Sequence, residues 1–179
     1  MRMATTRDRI LDALERLVVT KGFSQVTLEA VAAAAGVSKG GLLYHFKSKD
    51  ALLIGMVERL GQRTERQLET VDSVSDWYLS YPSIDDESDA MELALYRSMI
   101  AAMRSIDTEP DDVQQALVTV MRSWDSRLQA EIEDPVQAEI VRLVGDGIYL
   151  GALLGLPRPD PKLHEQVVAR LLREVRHPA

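Results

Sequence analysis

The chain has 179 residues, 46% of them apolar, with no cysteine and a net charge of -7. That length holds one ordinary domain or two small ones, and the apolar content excludes a disordered chain. Without cysteine there is no disulfide framework and no thiolate zinc site, as suits a reducing cytosol.

Met1 to Thr6 carries no apolar signal core, so no export sequence is expected. Arg7 to Lys21 follows with Ile10, Leu11, Leu14, Leu17 and Val18 on one helical side and Arg7, Arg9 and Arg16 on the other. Gly22 stops this helix. Leu28, Val31, Ala32 and Ala35 then recur at three- and four-residue steps, predicting a short helix capped by Thr27 and ended by Gly36 in a left-handed turn. Val37 supplies an apolar plug, Ser38 a second cap, and Leu42 with Phe46 the buried side of a further short helix. Two short helices joined by a glycine turn predict a helix-turn-helix, whose second helix enters a DNA major groove. With the first helix packed behind it, this makes a three-helix head too small to be stable unsupported.

Charge supports the same division. Residues 1–50 hold eight Lys/Arg against five Asp/Glu, a balance of +3, and the remainder holds 13 against 23, a balance of -10. A basic head on an acidic body suits a protein that meets phosphates at one end only. Lys39 lies at the exposed start of the second short helix, within reach of guanine or a phosphate. Gly40 and Gly41 are poor helix formers that leave the backbone bare for close approach.

The next helix is expected from a Ser48 cap to about Val71, apolar in its first half through Leu52, Leu53, Met56, Val57 and Leu60. Asp72 to Asp89, rich in Ser and Asp with Pro82, is expected to be a loop, with Trp77, Tyr78 and Tyr81 folding back onto the body. Four further helices follow. Met91, Leu95, Met99, Ala102 and Ile106 form one stripe, and Leu117, Met121, Trp124, Leu128 and Ile132 form another after Pro110. Asp134-Pro135 opens a helix to about Leu154, ended by Gly155 and Pro157, and Asp160-Pro161 opens the last. The apolar run Leu143 to Leu156 is broken by Asp146 and falls short of the ~20 residues a bilayer requires, so no membrane span is expected. No alternating strand pattern competes, so the fold class is all-α, with a DNA-binding head at residues 1–50 and a helical body at 51–179.

The last two helices are expected to form a homodimer interface. Leu163, Val167, Leu171 and Val175 make a stripe at four-residue steps, and Gly147, Gly151 and Gly155 form a ridge that lets a partner helix approach. The ridge equally suits packing inside one subunit. His45, His164 and His177 have no metal-ligand spacing, and neither a phosphate loop nor a nucleophile elbow occurs, so no enzyme, metal or cofactor is expected. The remaining alternative is a protein-binding module that offers the basic head to an acidic partner.

The chain resembles the TetR/AcrR family of bacterial transcriptional regulators. The resemblance covers roughly the first third of the chain. It is carried by Gly22-Phe23, Thr27 through Ala35, Gly36-Val37-Ser38-Lys39-Gly40, Leu42, Tyr44-His45-Phe46, Lys47-Ser48-Lys49-Asp50 and Ala51-Leu52. Gly41 and Leu43 depart from the family pattern, where Thr and Tyr are common. The resemblance implies that Thr27 and Ser38 turn backbone N–H groups toward phosphates, that Tyr44 and His45 are a phosphate-binding pair, and that Lys49 contacts the DNA backbone. It also implies a homodimer joined by a four-helix interface and a small-molecule pocket in the body, which makes 51–179 a helical ligand-binding and dimerisation domain. Candidate ligand-binding residues for that pocket are Trp77, Met99, Met103, Met121, Trp124 and Tyr149, with Arg97, Arg104 and Asp146 as polar groups to orient a ligand, although Met and aromatic stripes equally suit plain core. Double-stranded DNA with an inverted repeat and a small-molecule effector are the implied partners, and repression is the implied outcome.

Overall fold

In the computed structural model, which describes residues 5–82, 87–103 and 112–176, Thr5 opens helix α1 (Thr6–Lys21). Its hydroxyl accepts from the Asp8 amide while the Asp8 carboxylate accepts from the Thr5 amide, a reciprocal cap. Ile10, Leu11, Leu14 and Val18 are fully buried. Gly22, at φ 77°, turns the chain into a single 3-10 turn at Phe23–Gln25. Helices α2 (Leu28–Ala35), α3 (Lys39–His45) and α4 (Lys49–Leu68) complete the first part of the chain.

The head expected from the sequence is present, and α4 is fastened to it. Leu52, Leu53, Met56, Val57 and Leu60 are all buried. Gly55 is what lets α4 approach, because a Cβ there would fall 2.6 Å from the Phe46 ring and 3.4 Å from Leu11. Polar groups reinforce the contact. Arg59 pairs with Asp12, lies 3.3 Å from Glu15 and donates to the Asp8 carbonyl, and Arg7 pairs with Glu58 at 3.0 Å. Packing therefore continues past residue 50 into α4. The chain separates into two compact units, one holding residues 1–62 and 91–120, the other 63–90 and 121–179.

The segment expected as a loop from Asp72 to Asp89 is not one throughout. Val74–Leu79 forms helix α5, and α6 (Glu87–Met103) begins before Asp89. Local composition misleads here because the cap comes from far along the chain. The Glu131 carboxylate, at the end of α7 (Asp112–Glu131), accepts from the Val74 amide at 2.5 Å, the Ser75 amide at 3.0 Å and the hydroxyls of Ser73 and Ser75. A carboxylate placed on the free N–H groups of a first turn stabilises a helix too short to hold itself. The expectation that Trp77 and Tyr78 fold back onto the body agrees with the structure. Tyr78 and Leu79 are buried with Leu128, Ile132, Ala138, Val141 and Leu172, and Trp77 packs against them.

Helix α8 (Pro135–Leu154) opens on an Asp134 cap with Pro135 in its first turn and ends at Gly155, φ 66°. Helix α9 (Pro161–Arg176) closes the described chain. Both match the sequence expectation. α5 reaches α8 at Gly145, where a Cβ would fall 2.7 Å from the Tyr78 carbonyl oxygen. Among the described residues no helix is long and apolar enough to cross a membrane. Of the α6 stripe, Leu95 is buried and Met91 half-buried, while the side chains of Met99 and Ala102, and all of Arg104 and Ile106, lie outside the described residues.

Candidate functional site

The turn between α2 and α3 is set by hydrogen bonds that leave little freedom. Gly36 takes the left-handed conformation, its amide donating to Ala33, and the Val37 amide donates to Ala32 at 3.0 Å. Arg9 of α1 donates to the Ala35 carbonyl at 2.7 Å and to that of Gly36 at 3.3 Å, closing the end of α2. Thr27 accepts from the Ala30 amide, Ser38 from the Gly41 amide and Ser48 from the Ala51 amide, so each helix start carries its own cap. Leu42 is fully buried and Phe46 nearly so, which fixes the rotation of α3.

That rotation sends Lys39, Gly40, Tyr44 and His45 to solvent, beside the exposed caps Thr27 and Ser38. Tyr44 is 85% exposed, unusual for an aromatic residue, and meets His45 edge to face with ring centroids 5.2 Å apart. Gly40 has no atom nearer than 4.0 Å to where a Cβ would sit, whereas Gly41 is closed in by Ser38 and Val37. Lys49 is placed differently from the other candidates. Its ammonium donates to the Ser24 carbonyl at 3.2 Å and lies 4.7 Å from the centre of the Phe23 ring, holding the start of α4 against the 3-10 turn. Lys39 is paired as well, at 2.7 Å from Glu29. The hydrogen bond from Lys39 holds the Glu29 carboxyl below the usual carboxylate range. Sequence reading passed over Glu29 and Arg9. An acid in a first turn and an arginine on an outward face are ordinary features until the partner is seen.

In the body, Trp77 of α5 and Trp124 of α7 meet edge to face with centroids 6.2 Å apart. The Trp124 indole nitrogen is buried and has no hydrogen-bond partner among the described residues. Beside this pair the Tyr78 hydroxyl donates to Asp125 at 3.0 Å. Burial, with Asp125 alongside, pushes the Tyr78 phenol far up. Asp146 pairs with Arg142 one turn earlier at 2.7 Å, and Arg142 also grips Glu139. Burial raises the Asp146 carboxyl and Arg142 opposes that shift. Trp77, Trp124 and Asp146 thus belong to one unit, as does the half-buried Tyr149, while Met121 in that unit is exposed. Arg97, Met99 and Met103 lie on α6 in the other unit, and the side chains of Met99 and Met103 are outside the described residues.

The expected interface residues divide by angle. Leu163 and Val167 are 57% and 41% exposed, but Leu171 and Val175 pack on the protomer's own core. Four-residue steps advance about 40° each around a helix of 3.6 residues per turn, so the row rotates from solvent into the core. Gly155 serves as the left-handed end of α8, and that conformation accounts for it. A Cβ at Gly151 would fall 3.9 Å from the Tyr81 hydroxyl, and one at Gly147 would face open space. Gly147 belongs to a row that sequence reading did not isolate. Val136, Ile140, Leu143, Leu150 and Leu154 lie at alternating four- and three-residue steps with Gly147 among them, and these five are 38% to 65% exposed.

Residues 72–176 match the family model for the tetracyclin repressor-like C-terminal domain, and residues 10–56 match that for bacterial regulatory proteins of the tetR family. The HTH-type transcriptional regulator YwcC of Bacillus subtilis (strain 168) is 25% identical over 175 residues, spanning 85% of this chain and 78% of YwcC. YerO of the same organism, another HTH-type regulator, is 41% identical over 56 residues, 31% of this chain and 19% of YerO. Among solved structures, the multidrug binding protein EbrR complexed with malachite green is 26% identical with a TM-score of 0.69, covering 94% of this chain and 97% of EbrR. A TetR family member from Streptomyces coelicolor A3 is 25% identical with the same TM-score, covering 93% of this chain and 97% of that one. With both its head and its body matched, the chain belongs to the tetR family of bacterial regulatory proteins and is a transcriptional regulator.

Proposed function

We propose that the protein is a cytoplasmic repressor that binds an inverted-repeat operator as a homodimer and is released by a small aromatic effector. The observation that carries the DNA reading is the α3 surface. Buried Leu42 and Phe46 fix the helix, and Lys39, Gly40, Tyr44 and His45 face outward together. In this reading Lys39 reaches base edges, the bare backbone at Gly40 allows close approach, and Tyr44 and His45 bind phosphates beside Thr27 and Ser38. Lys49 joins them by exchanging the Ser24 carbonyl for a phosphate oxygen.

The exposed row on α8, with Leu163 and Val167 of α9, supports the homodimer. Contiguous aliphatic side chains on a helix face mark an interaction surface, and a twofold partner covers it with its own copy. Two heads on that axis read successive major grooves roughly 34 Å apart or a multiple of one turn.

The effector reading rests on the Trp77–Trp124 pair and on EbrR, whose structures hold malachite green and ethidium. Arg97, Met99, Met103, Met121, Asp146 and Tyr149 remain candidate contacts. Trp124 lies on the same stretch of α7 as Ser123 and Arg127, which hold Glu65 near the end of α4 at 2.7 Å and 2.6 Å. α4 begins at Lys49 in the head, so an effector that displaces Trp124 moves the helix that carries the head. Release is then a population shift, and the effector must bind the DNA-incompetent state more tightly. Selection of duplexes from a random pool, followed by a screen for compounds that free the tightest one, tests the reading. Failure to select any sequence counts against it.

A further inference from the structure

We propose that Glu29 is a specificity-determining residue that acts with Lys39 as a single acceptor–donor unit reading a G·C pair in each operator half-site. The inference rests on the DNA-binding reading above and adds a residue and a base preference to it.

Glu29 lies in the first turn of α2 and Lys39 begins α3, so the carboxylate and the ammonium come from the two helices that flank the Gly36 turn. They meet at 2.7 Å with both side chains more than half exposed. An ion pair so open to water contributes little to folding stability. Its consequence is for what approaches the surface. Lys39 alone would be drawn to any phosphate, and each such contact releases a counterion without regard to sequence. With Glu29 attached, the pair presents no net charge, and the attraction of Lys39 for an arbitrary duplex is cancelled.

The pair keeps a pattern of hydrogen bonding even as its charges cancel. Lysine donates to guanine O6 and N7, and a carboxylate accepts from the cytosine N4 amino group. A G·C pair shows both edges side by side in the major groove, so it satisfies Lys39 and Glu29 without separating them. An A·T pair offers Glu29 the adenine amino group and Lys39 the thymine O4, with the thymine methyl alongside, and lacks the paired guanine acceptors that favour lysine. At other steps the carboxylate faces acceptors or phosphates and is repelled.

The test uses the full-length protein and the tightest duplex that wild type selects from a random pool, compared with a scrambled duplex of the same length and with each single-pair substitution. Affinities are measured over a salt series for wild type, Glu29→Gln, Glu29→Asp, Lys39→Ala and the Glu29→Gln/Lys39→Ala double variant. Melting curves check that each is folded. Glu29→Gln is expected to bind the scrambled duplex more tightly, with the slope of log K against log salt steeper by about 0.9 for each head. It is also expected to lose discrimination at one G·C position per half-site by about tenfold, within the range for a good base contact. Glu29→Asp keeps the charge and loses reach, so it retains the wild-type slope and loses the base preference. In the Lys39→Ala background, Glu29→Gln leaves the salt slope unchanged, because no freed ammonium is there to meet a phosphate. Unaltered discrimination at every position in Glu29→Gln, or an equal effect with and without Lys39, overturns the assignment. A wild-type protein that selects no duplex fails the DNA-binding reading itself, which is a different outcome from any variant result.

Discussion

Replacing Gly147 with leucine separates the fold of the protomer from its assembly. A Cβ at Gly147 meets nothing within 4 Å, so the substitution introduces no clash inside the protomer. Glycine costs a helix interior about 0.8–1.0 kcal/mol relative to alanine, and leucine is nearly as good a helix former, so the isolated protomer gains up to about 1 kcal/mol. In the proposed dimer the same position lies within the exposed row from Val136 to Leu154, where a glycine lets two α8 helices approach. A leucine forced into a packed contact costs about 1–3 kcal/mol, and a twofold interface contains it twice, so dimerisation weakens by about 2–6 kcal/mol. At 1.4 kcal/mol per tenfold, the dimer Kd rises by about 30-fold or more. Sedimentation equilibrium over a concentration series reads this directly, with thermal melting of the monomeric fraction as the control. A dimer Kd within threefold of wild type refutes the placement of the interface on this face. Gly151→Leu is expected to favour monomers also, but its neighbour Tyr81 makes it a less clean probe.

The other predictions use different handles. Gly40→Ala stabilises α3 by up to about 1 kcal/mol, because only Ser38 lies as near as 4.0 Å, yet it weakens operator binding if the backbone there approaches the groove floor. Unchanged affinity in a gel shift would remove Gly40 from the interface. Lys39→Ala lowers affinity for the selected operator, whereas Tyr44→Phe weakens binding to all duplexes alike; an intact shift after both changes contradicts the orientation given to α3. Glu131→Gln loses a charged cap and costs about 0.5–2 kcal/mol in melting experiments at neutral pH. The pH dependence has a definite sign. Burial raises the Glu131 carboxyl, but hydrogen bonds from Ser73, Val74 and Ser75 outweigh it and leave it below 4.5. A depressed carboxyl contributes stability above its ordinary value that is lost as pH falls through the folded one, so wild type loses this contribution below about pH 4.5 and Glu131→Gln does not. The chain has two tryptophans, and they are the touching pair. An effector that frees DNA is therefore expected to shift or quench intrinsic emission, and release without any change in emission moves its site elsewhere.

The head was legible because its signals are local. Caps at Thr27 and Ser38, the Gly36 turn and the three- and four-residue steps of Val31, Ala32 and Ala35 lie within a few residues of what they control. α5 was not legible. Its first turn is held by Glu131, 57 residues beyond Val74, and its close approach to α8 depends on Gly145, which no periodicity singles out. The α9 row proposed for the interface was legible in its spacing but not in its exposure, for a geometric reason. A row of four-residue steps looks continuous in the sequence but winds around α9, so Leu163 and Val167 stay outside while Leu171 and Val175 turn inward. The pairing of Lys39 with Glu29 joins two helices across a turn, and neither residue announces the other.

The most direct measurement of the central claim is equilibrium binding of the purified protein to duplexes drawn from a random pool, at physiological salt and over a salt series. An inverted repeat should emerge, with half-sites one helical turn or a multiple apart and with affinity falling steeply as salt rises. Equal affinity for every duplex, with or without added metabolites, contradicts the account.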